Sequence, residues 1–558
     1  MWGKSKALPK LAVVFALASI GAGAYVIKHR SSQVHFVNGL DELVHVTVDE
    51  HEMDLDRGQR VAQELSKGPH RVRVAFAGKD GKVIEEETID VPGGYDCVLY
   101  NVAGAAPIFR QSVTYQASSG TDVKETFNIV GGPRFWTNNH TDYVFADPPK
   151  TISLSKGERQ RVNWMVSLPA KADWIDTIIH LAKENQQPLA VEVASRIALL
   201  HPDRITHVSR VIYALGLAGL SEATGEVARK LIVAAPHSIE AHRFYQSALE
   251  SEGKRDQLLS EYQRRLEADP QSPEALYLLL RILPHKDRLQ RLEQAVQVFP
   301  EDAKLHYSLL VSMAQDHKTA GADKLMAKLK TMKFNDEYRS VLEEYQANLL
   351  VDSGQAQRAL AAIDRKLASP LLVARLAKLV NPSAVSTDAL ASMKEPMRSA
   401  IANLFLDGAG VGQTSAALSE PFPKAFLRLA EAARQGRQAT VAAFLNGKVE
   451  PGSISALGRG LLYPLAAALA KQGNSKEAET LVAAAGMPGI AQQAFLAIVL
   501  GGKNDPELEE ADLDTRGALR LALAIHTDDK TKQKKLLAEA KRDEPIPGPI
   551  HLIADRWF

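Results

Sequence analysis

The sequence predicts an α+β multidomain chain: an amino-terminal transmembrane helix, a small β-sandwich, and then an all-α solenoid of stacked helical hairpins. Three observations carry this. Residues 11–27 form a run of 17 uncharged residues. Apolar and polar residues alternate with period two in short runs between residues 44 and 102. Beyond about residue 170, prolines follow apolar helix ends at intervals of about 34 residues.

The amino-terminal run, LAVVFALASIGAGAYVI, follows Lys4, Lys6 and Lys10 and ends at Lys28, His29 and Arg30. At 1.5 Å per residue it reaches about 25 Å, enough for a thin bilayer. Two readings compete. One is an uncleaved anchor. The other is a signal peptide cut after Ala22-Gly23-Ala24. The apolar run continues past that site through Tyr25, Val26 and Ile27, which favours the anchor, residues 1–30. Three lysines and the terminal amine on the first flank then predict a cytoplasmic amino terminus. The bulk of a single-pass membrane protein would be periplasmic or otherwise extracytoplasmic.

Residues 33–165 carry the β pattern. VHVTV (44–48) and HRVRVAF (70–76) alternate, GKDGK (78–82) turns, and VIEEETIDV (83–91) returns as the second strand of a hairpin. Pro92-Gly93-Gly94 breaks the chain before CVLYNV (97–102). Short strands with Gly/Pro punctuation predict a sandwich. Within it, DEHEMDLD (49–56) reads as a solvated acidic loop rather than a metal site. FWTNNHTDYVFADPP (135–149) reads as a loop whose aromatics cover the sheet, with a carbohydrate or peptide site as the sharper alternative. The stretch NGLDELVHVTVDE…LSKGPHRVRVAF resembles the PEGA-like β-sandwich modules of bacterial envelope proteins. The resemblance covers that stretch and no more of the β part.

In the helical part, Pro202, Pro236, Pro270 and Pro300 are almost evenly spaced, the last interval being slightly short. Pro370 falls two intervals further on. Trp174 lies 28 residues before Pro202, Ala190 offers a tight contact, and Gly253 and Tyr262 fall at a turn and on a second helix. LLYPLAAALAKQGNSKEAETLVAAAG (461–486) repeats the pattern with Gly473 and Ala478. With these hallmarks, residues 170–370 resemble tetratricopeptide repeats, and 371–558 are expected to continue the solenoid more loosely. One hairpin cannot bury its apolar face alone, so neighbours stack and curve around a groove. The resemblance places groove positions on the first helix of each unit. Ser209, Arg243 and Tyr277 form one row, and Tyr213, Ser247 and Arg281 a second. The arginines would clamp a carboxylate and the tyrosines would add apolar contact.

Sixty-seven basic against 66 acidic residues leave a net charge of +1, which argues against nucleic acid as the main partner. A single cysteine, Cys97, excludes internal disulfides and cysteine-rich zinc sites. GAGVG (408–412) lacks the Lys-Ser/Thr of a phosphate loop, and KTKQKK (530–535) reads as a solvated helix face. The sequence shows no Ser/His/Asp set, H-E-x-x-H, G-x-S-x-G or Walker pattern, so neither an enzyme nor a cofactor or metal is expected. The expected role is a membrane-tethered scaffold that grips a partner protein or peptide in its groove. The alternative is an envelope polysaccharide-binding or assembly factor that uses the β module.

Overall fold

The computed structural model describes residues 31–78, 81–116, 120–122, 128–169, 173–334, 336–382, 429, 431–446, 459–484 and 489–558. The chain divides into two units, Met1–Ala241 and His242–Phe558.

The first unit opens with strands β1 (Ser31–Val37), β2 (Val44–Val48), β3 (His51–Leu55), β4 (Arg60–Ser66), β5 (Gly68–Phe76), β6 (Val83–Val91) and β7 (Cys97–Asn101). Then come β8 (Phe109–Gln116), β9 (Gly120–Asp122), β10 (Asn128–Ile129), β11 (Phe135–Asn138), β12 (Tyr143–Val144) and β13 (Gln160–Ser167). They form three sheets. One is the antiparallel order β3-β2-β5-β6, one is β11-β7-β1-β4, and the third is β10-β8-β13-β12 with β9 beside β8. The alternation in β2 and β5 has its physical counterpart: Val44, Val46, Val48, Val72 and Val74 point inward and are fully buried. β7 reads differently. It runs parallel to β1 and antiparallel to β11, and every one of its residues is buried. A central strand covered on both faces needs a continuous apolar run rather than an alternating one. Burial there pushes the Cys97 thiol up to about 12, which makes it inert.

Helices α1 (Trp174–Lys183), α2 (Gln187–Leu200), α3 (Ile205–Leu217) and α4 (Thr224–Ala234) belong to the same unit. Polar contacts tie them to the sheets. Thr177 Oγ1 donates to the Ala105 carbonyl at 2.6 Å, and Arg196 donates to Ala103 and Gly132 carbonyls at 3.0 and 3.1 Å. Glu184 accepts from the Ile129 N–H at 2.7 Å.

The second unit continues from α5 (Ile239–Ser251), which straddles the division. It holds α6 (Arg255–Ala268), α7 (Pro273–Ile282), α8 (His285–Val298), α9 (Ala303–Gln315), α10 (Ala322–Thr331), α11 (Asp336–Asp352), α12 (Ala356–Ala362) and α13 (Pro370–Val380). The segment RRLEADPQSPEALYLLLRIL shows why the chain breaks where it does. α6 ends before Pro270, Ser272 Oγ then accepts the Ala275 N–H at 3.1 Å, and Pro273 takes the first helical position. Gly253, with φ +74°, makes the turn between α5 and α6. Pro202, Pro236, Pro270 and Pro300 each follow the end of α2, α4, α6 or α8, whereas Pro370 opens α13.

Further on lie α14 (Arg437–Asn446), α15 (Arg459–Lys471), α16 (Ser475–Ala484), α17 (Gly489–Gly501), α18 (Leu513–His526), α19 (Lys530–Asp543) and α20 (Pro549–Arg556). α15 is buried continuously over 461–469 and packs against α14, α16, α17, α18 and α20. A helix apolar all round belongs at the centre of a bundle.

The fold expectation needs correction. Among the described residues, no helix is long and apolar enough to cross a membrane. The longest, α11, spans 17 residues and carries Asp336, Arg339, Glu343 and Asp352. Residues 11–27, on which the transmembrane helix rested, lie outside the described residues. That run is also short of the ~20 residues a span ordinarily needs. The single-pass localisation and its orientation relied on the same run and are withdrawn with it. Two stretches read as loops contain strands. DEHEMDLD contributes β3, and Asp54 lies 2.8 Å from His45 across the hairpin. FWTNNHTDYVFADPP contributes β11 and β12. GAGVG lies outside the described residues.

Gly39 marks a tight backbone approach in the β unit. A Cβ there would overlap the Ala105–Ala106 backbone. Its neighbour Asn38 is pinned by donating to the Leu55 carbonyl at 3.0 Å, so the loop cannot retreat. Gly39→Ala is expected to destabilise the unit by about 1–3 kcal/mol, read as a lower denaturant midpoint with an unchanged slope.

Candidate functional site

α3 forms because Val208, Val211, Ala214 and Leu215 bury one side of it. The other side stays open. Ser209 and Gly216 are exposed, Ile212 is 38% and Tyr213 50% exposed, and nothing stands within 4 Å of a Cβ built on Gly216. These residues fall at i, i+3, i+4 and i+7, so they form one stripe.

The helix beneath that stripe is clamped to its unit. Arg210 pairs with Asp41 from the β1–β2 turn and with Asp173 at 2.9 Å, and its guanidinium lies 4.8 Å from the Trp174 ring centre. Arg57 closes the quartet onto Asp41 at 2.8 Å and Asp173 at 3.4 Å. Burial opposes the charge on Asp41, but Arg210 and then Arg57 outweigh it and hold the carboxyl below its ordinary range. Asp173 also caps α1 by accepting the Ile175 N–H at 3.0 Å.

The other four groove positions, Arg243, Ser247, Tyr277 and Arg281, lie in the second unit, where protein groups engage or cover them. Arg243 donates to the Tyr338 hydroxyl and sits 5.7 Å from that ring's centre. Arg281 donates to Gln246 Oε1 at 2.8 Å and to Ser247 Oγ at 2.9 Å. Tyr277 is only 3% exposed. Row spacing alone could not separate these settings. Equal intervals place residues on equivalent helix faces but do not say what covers each face.

Sequence reasoning missed an aromatic group around Arg243. Tyr307 lies edge-on to Tyr338 at 5.2 Å, and Phe334 lies 6.1 Å from Tyr338. The signal was available: Tyr307 follows Tyr277 at the same interval that separates Pro300 from Pro270. In the β unit, Tyr100 brings its hydroxyl to 3.1 Å from Glu85 and 2.8 Å from Glu87, with Arg134 2.9 Å from Glu87. Burial raises the Glu85 carboxyl above its ordinary value. That carboxylate accepts the N–H of Ala103, a residue at φ +54°, and so holds the turn after β7.

Among the described residues no cluster of three or more His, Cys, Asp or Glu side chains could hold a metal ion. No protein-family model and no curated protein matches the chain.

The two settings respond differently to substitution. Arg281→Met strips a donor from Gln246, whose side chain is wholly buried, and should cost about 1–3 kcal/mol in denaturant unfolding. Tyr213→Ser, on the open stripe, should stay within about 0.5 kcal/mol of the parent.

Proposed function

We propose that this chain is a protein-interaction scaffold built from helical hairpins of the tetratricopeptide kind. It binds a partner protein or peptide along the Ser209–Gly216 stripe of α3. One observation carries the reading: Ile212 and Tyr213 face solvent side by side on a helix that four interlocked charges hold still.

A half-exposed tyrosine is a good anchor. It adds a large contact area at the cost of few rotors, and its hydroxyl keeps a polar partner. Rigid mounting matters as much. A docking helix that does not reorganise loses less freedom when the partner arrives. Gly216 lets a partner's backbone come close to the helix at the end of the stripe. Ser209 supplies a small donor and acceptor at the other end. Arg243, Ser247, Tyr277 and Arg281 then serve the scaffold by holding its helices together.

A photo-reactive residue placed at position 213 of the full chain, in its native cells, should trap one discrete partner. That partner should co-purify with the unmodified chain and be lost on Ile212→Ser/Tyr213→Ser, with the melting temperature unchanged. The same adduct from Lys230, on the exposed face of α4, or undiminished co-purification with the double variant would refute the reading.

A further inference from the structure

Within the second unit, a set of charged side chains ties the carboxy-terminal helices to the earlier ones. Glu510 receives the His285 N–H on both oxygens, at 3.1 and 2.8 Å, in the first turn of α8. It also lies 3.7 Å from Arg255. Arg516 of α18 donates to the Gln315 carbonyl at the end of α9, at 2.7 Å, and to Asp543 Oδ1 at 2.9 Å. Arg520 holds the other Asp543 oxygen at 2.5 Å. His317 stands between Asp352 of α11, at 2.8 Å, and Asp543 of α19, at 3.5 Å. Arg375 of α13 binds Glu544 at 3.1 Å and the Pro547 carbonyl at 2.7 Å. Ile546 joins the apolar cluster of Ala347, Leu350 and Leu376.

We propose that the carboxy-terminal helices α14–α20, which share one apolar core around α15, are docked together in cis along the α8–α13 edge as a latch, closed by the His317 bridge to Asp543, and that mild alkalinity opens it. This does not depend on the partner reading above.

The chemistry of the contacts supports release. Buried ion pairs add little net stability against the water they displace, but removing one member is costly because it strands its partner. A single proton can therefore tip such a joint. Burial lowers the pKa of His317, but hydrogen bonds to Asp352 and Asp543 outweigh it and hold the pKa above 6.5. Arg542 opposes them. Arg516 and Arg520 face Asp543 from α18, and Glu509 draws Arg520 at 2.8 Å. Asp316, beside His317 in the chain, is held by His285 at 2.7 Å.

The docked imidazole thus binds its proton more tightly than a free one. Opening the latch removes Asp543 but leaves Asp352 beside the ring, so the protonated imidazole favours docking and that contribution is lost as pH rises through the docked value.

The latch can be read by the distance between spin labels at Gln357→Cys on α12 and Lys534→Cys on α19 in the full chain. Cys97 is buried and will not take label. At pH 6 one short distance should dominate. By pH 8.5 its share should fall about threefold, with far-UV helicity unchanged. Asp543→Asn should show the long distance at both pH values, and His317→Lys, which keeps its charge, should remain short at pH 8.5. An unchanged distance from pH 6 to 8.5 would overturn the latch. So would the same pH response in His317→Lys, or a loss of helicity in step with the distance.

Discussion

Asp543 brings a carboxylate to a point where its side chain is wholly excluded from solvent. A charge placed there without compensation would be untenable, so the chain surrounds it with Arg516, Arg520 and His317. Each of these has a second obligation. Arg516 closes the carbonyl at the end of α9, Arg520 binds Glu509, and His317 binds Asp352. The positions of α9, α11, α18 and α19 are therefore set by one anion. His317 takes a left-handed backbone, φ +54°, which a non-glycine residue accepts only where its surroundings over-determine it.

The first unit uses the same device with less burial. Asp41 and Asp173 come from a strand turn and a helix cap, and Arg57 and Arg210 come from a strand connection and α3. Four charges from four places set the helix at a defined angle to the sheets. Apolar packing beneath the helix supplies most of the attraction, but it is non-directional, and the ion quartet supplies direction. This rigidity is what suits the open stripe of α3 to docking, where a loose edge would have to be ordered first.

Much of the local structure was legible in the residues. The strands at 44–48, 70–76, 83–91 and 97–101 follow from alternation and turn residues, and helix ends follow from Ser272, Pro273 and Gly253. The stretches 49–56 and 135–149 were harder. Their acids and aromatics look like loop composition, yet the backbone of each finds a partner strand, and pairing outweighs composition. The 17-residue apolar run misled for a related reason. Apolarity along a sequence does not by itself establish a placed, spanning helix. Of the groove positions, Ser209 and Tyr213 lie open, Arg281 meets its own row neighbour Ser247, and Arg243 meets Tyr338, which no spacing rule names.

By itself, then, the sequence determined where helices and strands start and stop, and which side of each is apolar. Those properties arise from close neighbours along the chain: caps, turn glycines, prolines and periodicity. Only the tertiary structure decided which charged side chains become buried and which exposed faces stay open. His317 meets Asp543, and Arg210 meets Asp41, although each pair is far apart along the chain. Contacts of that range depend on how whole helices pack, because a salt bridge needs both partners at one point and only the fold brings them there.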